Sequence, residues 1–425
     1  MQKIFLFIGC LFCFTKVGFT QVNTTTPDHV YLDNIKTVKL APVDNPLKLP
    51  IINLNSSQKL LLSFDDLDSQ VKDYSYTLVL CNADWTPVNM SPFNYIDGFK
   101  ENRIRNYHYS TLPLQKYIHY QVRIPNRDIK PKLSGNYLLK VYVNEEEKKL
   151  AFTKRLMVTQ NKAIVHGEVK QPTNPKVFKR YQRIDFDVNL QGLFVNNPLS
   201  QVKVFILQNG RWDNAVKNLK PTFIRGDKLV YNTEDQSIFP AMKEWRWADL
   251  RSFRLQTERV KGIVNSQKSI DVFLKTDFNR SQRPYSYRKD INGHFIPDIM
   301  ESGYNPNYEG EYAKVHFYFS TPHPFPDSKV YVFGEMTNYE CSKKNVMTYN
   351  PTKKVYETTL YLKQGYYNYI YGIIPDGTHQ LLLKSTEGNW WEAKNNYTIL
   401  VYYRPLGKRA DRLIGIRSIS TMEKL

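Results

Sequence analysis

The sequence has few cysteines and no long apolar segment beyond its N-terminus. Only four of the 425 residues are cysteine, and two of them, Cys10 and Cys13, lie in the apolar N-terminal stretch. Cys81 and Cys341 remain, and we expect them in separate domains as two buried thiols without a disulfide. No later run reaches the roughly 18 apolar residues of a membrane-spanning helix, so the sequence predicts no transmembrane segment.

Motifs of common catalytic and metal sites are also absent from the sequence. There is no G-x-S-x-G, H-E-x-x-H, Walker loop or G-x-G-x-x-G, and the eight histidines show no ligand spacing. Residues 290–293, Asp-Ile-Asn-Gly, begin like a calcium loop, but the glycine comes two positions early, and we expect a hairpin turn there. The sequence therefore predicts no catalysis, no cofactor and no metal.

The charge is strongly basic, with 59 Lys and Arg against 40 Asp and Glu and a net charge of +19. The basic residues are spread along the chain, and no nucleic-acid-binding module is recognisable. We therefore expect no nucleic acid, and an acidic protein surface or an anionic outer-membrane lipid as the partner.

The N-terminus predicts export. Met1-Gln2-Lys3 is followed by an apolar run at 4–14, by VGFT and then by the polar QVNTTTPD. This pattern is typical of a signal peptide over residues 1–20, cleaved after Thr20. A buried N-terminal helix and a lipoprotein modified at Cys10 are the alternatives.

Alternation of apolar and polar residues indicates β-structure. It is clearest at 118–124, 183–190 and 313–320, where Ile118, Tyr120, Val122 and Ile124, for example, alternate with His119, Gln121 and Arg123. Residue composition predicts further strands at 58–64, 75–81, 136–143, 201–207, 270–275, 329–333, 355–362, 367–374 and 397–403. Residues 241–251 form the best short-helix candidate, although Trp245 and Trp247 alternate as in a strand.

The strands group into three blocks, separated near residue 163 and by the turn-rich segment 298–310. We predict an all-β protein of three consecutive immunoglobulin-like β-sandwich domains with antiparallel sheets. The predicted domains are residues 21–160, 161–305 and 306–425.

Two alternatives follow from the aromatic residues and the alternation. Residues 329–372 resemble glycogen-binding relatives of the early-set immunoglobulin fold, with Tyr339 where those modules usually carry Trp, and Trp390 and Trp391 could stack on a sugar. A secreted glycan-binding β-sandwich protein is therefore the alternative function. An integral outer-membrane barrel is disfavoured, because the apolar faces are shorter than the ~10-residue spans such strands need.

A more extensive resemblance is carried by short sequence motifs that follow one another in a fixed order along the chain. These motif strings are CNADW at 81–85, FNYIDGF at 93–99, IHY at 118–120, IPN at 124–126, SGNY at 134–137, QNGRWDNA at 208–215, SIFP at 237–240, RSFR at 251–254, DINGHF at 290–295, and NNYTILVYYRPLGKRADRLIG at 395–415. Together they resemble the type IX secretion system plug protein family of Bacteroidota. After SIFP the pattern of that family resembles Gly-Gly-Asn-Glu, whereas residues 241–244 of this chain are Ala-Met-Lys-Glu. We therefore expect the conformation of this loop to differ.

The resemblance implies a periplasmic, non-catalytic protein. It would bind the large outer-membrane translocon β-barrel peripherally and close its periplasmic mouth when no cargo passes. A domain of about 130 residues spans roughly 35–40 Å, and barrels of about 22 or more strands need a plug. Rigid sandwiches suit that role because packed cores resist deformation.

Within the strings we interpret most residues as structural. Cys81 would end a strand, Asn82 and Asp84 would fix the turn, and Trp85 would bury its ring with a hydrogen-bond partner for its N–H. We assign the same structural role to the remaining string residues, Gly98, Phe99, Asp290, Asn292 and Gly293. Trp390 and Trp391 are the candidate partner or glycan contacts.

Overall fold

The computed structural model describes residues 27–144, 148–301 and 303–421. The predicted signal peptide, with Cys10 and Cys13, lies outside the described residues. Within them, α-helix is limited to single turns at Pro198–Gln201 (α1) and Pro306–Glu309 (α2). The prediction of an all-β protein is confirmed, and the sheets are mainly antiparallel in a sandwich-like arrangement.

The first unit, residues 27–160, packs two sheets over one core. A four-stranded sheet, β1-β3-β8-β7, faces a five-stranded sheet, β2-β11-β10-β4-β6, and β5 pairs with β9 as a separate ribbon. Phe64 stacks on Tyr120 and meets Tyr74 and Phe152 edge to face in this core. The strands are Ile35–Pro42 (β1), Ile51–Asn53 (β2), Leu60–Asp66 (β3), Tyr74–Cys81 (β4), Ile96–Gly98 (β5), Asn102–Arg103 (β6), Asn106–Tyr109 (β7), Ile118–Ile124 (β8), Ile129–Pro131 (β9), Gly135–Val143 (β10) and Lys149–Thr159 (β11).

The second unit begins with a sheet of alternating strands. The side chains of Ile184, Phe186, Val188 and Leu190 are buried, in agreement with the alternation at 183–190. Strand β13 pairs with β12, β16 and β17, and β15 forms the outer edge beyond β16. The strands are Ile164–Lys170 (β12), Tyr181–Asn189 (β13), Val202–Gln208 (β14), Phe223–Arg225 (β15), Lys228–Tyr231 (β16) and Ile238–Pro240 (β17).

The third unit, residues 241–390, contains a ten-stranded sheet built around β27 and β23. Its order is β18-β27-β24-β25-β26-β23-β20-β19, with β22 also pairing with β27 and β21 with β23. The strands are Arg246–Asp249 (β18), Val260–Asn265 (β19), Ile270–Leu274 (β20), Asp277–Phe278 (β21), Phe295–Pro297 (β22), Tyr312–Ser320 (β23), Ser328–Phe333 (β24), Val346–Asn350 (β25), Val355–Lys363 (β26) and Gly365–Pro375 (β27).

The chain then returns to the second unit. Strands Asn396–Tyr403 (β28) and Arg412–Ser420 (β29) form a hairpin, and β28 pairs with β14 along its whole length. Tyr397, Ile399 and Val401 thereby complete the core that residues 163–240 begin. The second unit is thus residues 163–240 together with 391–421.

Strand pairing therefore crosses the predicted boundary near residue 305. Strands β18–β22 precede it but pair within the third unit, and β28 and β29 follow it but pair within the second. Local sequence patterns do not reveal such long-range pairing. The division into three immunoglobulin-like domains stays a prediction, and we propose the three units above as its folding units.

Two local predictions are wrong. The short-helix candidate at 241–251 contains strand β18, because residues 246–249 pair with residues 366–369 of β27. Asn292 and Gly293 do form a turn with φ of 53° and 85°, but β21 and β22 on either side are not paired with each other. The segment is therefore a turn within a long connection and not a hairpin.

His119 departs from the predicted alternation in β8. It is buried, and its Nδ1 lies 2.7 Å from the carboxylate of Asp65. The outer face of this sheet is not solvated at His119, because the third unit covers that part of it, whereas Arg123 of the same strand is exposed. Lys363 of β26 reaches the same carboxylate at 2.7 Å, and the Tyr312 hydroxyl donates to it at 2.7 Å.

The Asp65–Lys363 ion pair lies wholly inside the protein, between the first and third units. Burial by itself would raise the pKa of Asp65, but Lys363 and His119 outweigh burial and hold that pKa below its usual range. Burial lowers the pKa of Lys363, against the attraction of Asp65. Each charge therefore depends on the other, because an unpaired charge in a dry interior is very costly.

We expect Lys363→Met to lower the free energy of unfolding by about 3–5 kcal/mol, because Asp65 keeps a buried charge without its partner. The double variant D65N/K363M should recover part of that loss. The measurement is urea unfolding at pH 7. The exposed pair Asp33–Lys344 provides the control, and Asp33→Asn should change stability little. A double variant no more stable than Lys363→Met would contradict the assignment.

Candidate functional site

The CNADW string forms a closed corner after β4. The Asn82 N–H donates to the Thr86 carbonyl at 2.8 Å, and the Trp85 N–H donates to the Asn82 carbonyl at 3.0 Å. The Asp84 carboxylate accepts from the N–H and the hydroxyl of Thr86 at 3.0 and 2.6 Å. Cys81 is buried, and burial raises its thiol pKa to about 12, so the thiol is protonated and unreactive at neutral pH.

Trp85 lies between the first and second units. Its ring meets Trp212 of QNGRWDNA edge to face at 5.0 Å between centroids. The Arg155 guanidinium lies 5.1 Å from the Trp85 ring and 5.4 Å from the Trp212 ring, and it forms an ion pair with Asp28. The Trp85 indole N–H is buried and has no hydrogen-bond partner in the described part of the chain. The ring contributes packing and cation–π contact, and the expected N–H partner is not seen.

Asp411, which lies in the string 395–415 between β28 and β29, links the CNADW corner to the β28–β29 hairpin. Its carboxylate accepts from the Ala83 N–H at 3.0 Å, Lys203 Nζ at 3.0 Å and Arg404 Nε at 2.7 Å. Arg404 also donates to the Asn82 side-chain carbonyl at 2.7 Å. Burial would raise the pKa of Asp411, but these donors outweigh it and lower the pKa.

The DINGHF string, residues 290–295, also contributes to the contacts between units. The Asp290 carboxylate accepts from the Trp245 N–H at 2.7 Å, and Gly293 lies against the Trp245 ring, where a Cβ would approach within 2.7 Å. His294 Nδ1 and the Phe295 N–H contact the Glu335 carboxylate at 3.1 and 3.0 Å. Lys39 of the first unit pairs with Glu335 and donates to the Phe295 carbonyl at 2.8 Å. This string therefore fixes the third unit against β1.

The 241–244 loop, where the sequence departs from the family pattern, is also part of this junction. Met242 has φ of 58° although it is not glycine, and its side chain is buried beside Trp245, Phe333 and Ile370. Its N–H donates to the Asn389 side chain at 3.0 Å, and its carbonyl accepts from the Trp390 N–H at 2.9 Å. The methionine thus keeps a backbone conformation that glycine adopts without strain.

The two candidate glycan-contact tryptophans differ in position. Trp390 is partly exposed, but Tyr285 stacks on it at 5.9 Å and Glu392 accepts its indole N–H at 2.8 Å. Trp391 packs against the core of the second unit. Tyr339 lies between the rings of Trp245 and Phe333. The glycan-binding hypothesis stays a prediction, with one face of Trp390 as its platform.

Gly98 and Phe99 belong to a ribbon that presents a side chain outward. Gly98 has φ of 99°, and a Cβ there would come within 2.2 Å of the Asp128 carbonyl oxygen. The Phe99 N–H donates to that same oxygen at 2.8 Å. Gly98 is thus structural, but Phe99 is 68% exposed and Phe93 is 74% exposed, so neither ring serves the core.

The structure shows a second exposed apolar surface, which was not predicted from the sequence. Phe194 and Leu406, at 84% and 80%, are the most exposed large apolar side chains of the described residues. They lie on two adjoining loops, 190–200 and 404–410, which we call the basic corner. The Tyr403 hydroxyl donates to the Phe194 carbonyl at 2.9 Å, and the Arg404 N–H donates to the Gln201 carbonyl at 2.9 Å.

The loops of the basic corner carry Arg404, Lys408 and Arg409 and contain no Asp or Glu. Arg404 pairs with Asp411, so the exposed positive charge comes from Lys408 and Arg409. Side chains of this kind favour an acidic surface with apolar contacts at its centre. The RPLGKR segment was recognised in the sequence as part of the string 395–415. The sequence could not predict that this segment lies beside residues 190–200, because that proximity depends on the pairing of β14 with β28.

Taken together, these features define an all-β protein of sandwich-like architecture, whose motif strings lie mainly at contacts between units. A family model for the first domain of the type 9 secretion system plug protein matches residues 35–160. A hypothetical protein from Parabacteroides merdae ATCC 43184, known from a crystal structure, is 33% identical, with a TM-score of 0.89 over 92% of this chain and 98% of that chain. The chain belongs to the type 9 secretion system plug protein family.

Other comparisons add little. A collagen adhesin from S. aureus aligns at 8% identity over 91% of this chain and 94% of that chain, and its TM-score of 0.11 carries no argument. No curated protein matches the chain. Among the described residues no helix is long and apolar enough to cross a membrane. Family membership and the all-β fold suggest a non-enzymatic protein that interacts with secretion machinery.

We predict that Gly98→Ala lowers the free energy of unfolding by at least about 3 kcal/mol, because the methyl group meets the Asp128 carbonyl at an unfavourable φ. Gly226→Ala is the matched control, since Gly226 also has positive φ but open space around its Cβ position. It should cost about 1–2 kcal/mol. Thermal and urea unfolding measure both, and equal losses would refute a steric role for Gly98.

A pH effect is expected at Asp290, whose pKa burial raises from 3.8 to about 6. The folded protein then holds this proton more tightly than the unfolded chain, so the contribution to stability falls as pH rises from about 4 to 6. Between pH 4.5 and 6.5, wild type should lose about 2 kcal/mol relative to Asp290→Asn. Urea unfolding at constant ionic strength measures this. The exposed control Asp376→Asn should follow wild type, and parallel pH profiles for all three would contradict the expectation.

Proposed function

We propose that this protein is a non-enzymatic periplasmic plug. It binds the outer-membrane translocon β-barrel of the type IX secretion system and seals its periplasmic opening when the channel is idle. The single observation that carries the proposal is membership of the plug family, with the relative of 33% identity aligned over nearly the whole chain. The proposal includes the N-terminal signal, because a plug on the periplasmic side must be exported.

The rigidity of the assembly supports a stopper. The first and third units share the buried pairs Asp65–Lys363 and Lys39–Glu335. The first and second units share the Trp85–Trp212 contact and the Asp411 cluster. Because separating the units would expose unpaired charges and aromatic surface, they should move as one body. A body of that kind can block an opening without deforming under load.

The basic corner supports a specific docking site. Its apolar side chains, Phe194, Leu199 and Leu406, are exposed, and the exposed Lys408 and Arg409 lie on the same loop as Leu406. The loops are held by hydrogen bonds to neighbouring strands, so little conformational freedom is lost on binding. An acidic rim on the periplasmic side of the barrel would be the complementary surface.

The test is affinity purification of the tagged protein from its own cells after mild detergent extraction. Wild type should recover an outer-membrane barrel of the type IX system. The variant F194D/L406D should recover about tenfold less, because a charge is placed at each apolar contact. Phe93→Asp, on an exposed phenylalanine of the first unit, is the matched control and should recover the barrel as wild type does.

The outcomes separate the two parts of the proposal. If wild type recovers no barrel, the plug function is wrong. If wild type, F194D/L406D and Phe93→Asp recover equal amounts, the basic corner is not the docking site. Recovery should also fall as salt rises, since exposed charges are screened beyond about 8 Å at physiological ionic strength.

A further inference from the structure

A cavity in the third unit has a cationic lining that the proposed function does not use. It has a volume of about 720 Å³ and lies between β19, β20 and the segment that follows β21. Seven of its twelve lining residues are basic and one is acidic; the basic ones are Lys243, Arg246, Arg259, Lys261, Lys275, Arg280 and Arg283. Small-ligand pockets commonly have volumes of about 300–1,000 Å³, so the space suits a small molecule or a headgroup.

The floor of the cavity is a rigid ion-pair network. Arg246 donates to Asp277 at 2.9 Å and to Glu387 at 3.0 Å, and it is buried. Arg259 also pairs with Asp277, and Arg280 with Glu387. The hydroxyls of Tyr369 and Tyr371 donate to Asp277 at 2.7 and 2.9 Å. These carboxylates are therefore already saturated by the groups that hold the floor in place.

The cavity lining has more basic side chains than carboxylates to pair with them. Lys243 is buried, and its Nζ donates only to the carbonyls of Arg280 and Arg283, at 2.8 Å each, among the described residues. Burial lowers the pKa of Lys243, and repulsion from Arg280 lowers it further. The Arg259 Nε is buried and has no partner in the described part of the chain. The floor thus offers donors that a protein carboxylate does not occupy.

The rim adds three more cations. Lys261, Lys275 and Arg283 are exposed, and none of them forms an ion pair in residues 27–144, 148–301 and 303–421. The N–H of Lys275 donates to the carbonyl of Arg259 at 2.8 Å, so floor and rim are held on paired strands. Arg283 lies over the ring of Phe278, 5.1 Å from its centroid. Convergent cations on a fixed frame match the geometry and charge of phosphate oxygens.

We propose that this cavity is a binding site for a phosphate-bearing ligand, with Lys261, Lys275 and Arg283 as its rim contacts and Arg259 at its floor. The ligand is a free phosphorylated compound or the headgroup of an anionic lipid, which present the same chemistry. A multiply charged phosphate supplies the negative charge that the cavity lacks. The inference is independent of the proposed plug function, because the cavity lies in the third unit and the basic corner in the second.

The test is titration calorimetry of the full chain with inorganic pyrophosphate at low salt. The variant K261Q/K275Q should bind about tenfold more weakly, because it loses two charge-assisted contacts. The control K176Q/K217Q removes the same charge from exposed sites outside the cavity and should bind within about twofold of wild type. Thermal unfolding should be unchanged in both variants, because all four side chains are exposed.

Vesicles distinguish the two sources of the ligand. Vesicles containing phosphatidylglycerol, with neutral phosphatidylcholine vesicles as the blank, are mixed with the same proteins and sedimented. Vesicle binding that K261Q/K275Q abolishes and K176Q/K217Q keeps supports a lipid headgroup. Vesicle binding that is absent, or that both variants keep, together with pyrophosphate binding that K261Q/K275Q weakens, supports a free compound. Three results would overturn the site: no heat with pyrophosphate, equal weakening in the control, or equally tight binding of a glutamate-rich peptide at the same cavity.

Discussion

The structure depends on buried charges shared between units. Asp65 of the first unit and Lys363 of the third lie together in a dry interior, with His119 and Tyr312 completing the hydrogen bonds. Neither charge can lose the other without a large desolvation cost, so the pair opposes separation of the units. Lys39 and Glu335 repeat the arrangement close by. The units thereby keep a single relative arrangement, which the proposed stopper role requires.

The motif strings have a common physical meaning in this setting. CNADW and QNGRWDNA supply the neighbouring indoles of Trp85 and Trp212. DINGHF contacts Trp245 through the Asp290 carboxylate and Glu335 through the Phe295 N–H. These are contacts between units or within their connections, where backbone turns and side-chain charges must fit together. Phe99 and Leu406 also belong to motif strings, but their side chains are exposed and make no such contact in the core.

Much of the secondary structure could be predicted, and the errors have physical causes. The alternation at 183–190 identified the core-facing side chains of β13 correctly, although Asp185 on the polar side of the strand is buried as well. The same reasoning failed for His119, because a second unit covers the face that alternation assigned to water. It failed again at 241–251, where pairing with β27 outweighed local preference. In both places the deciding partner is distant in sequence.

The amino-acid sequence by itself determined the all-β class, the position of most strands and the family, because side-chain period and ordered motif strings are local properties of the chain. Only the tertiary structure decided that β28 and β29 complete the second unit, that Asp65 meets Lys363, and that seven basic residues line one cavity. These results depend on contacts between residues up to about three hundred positions apart. Such contacts follow from the packing of whole sheets, and no local pattern encodes them.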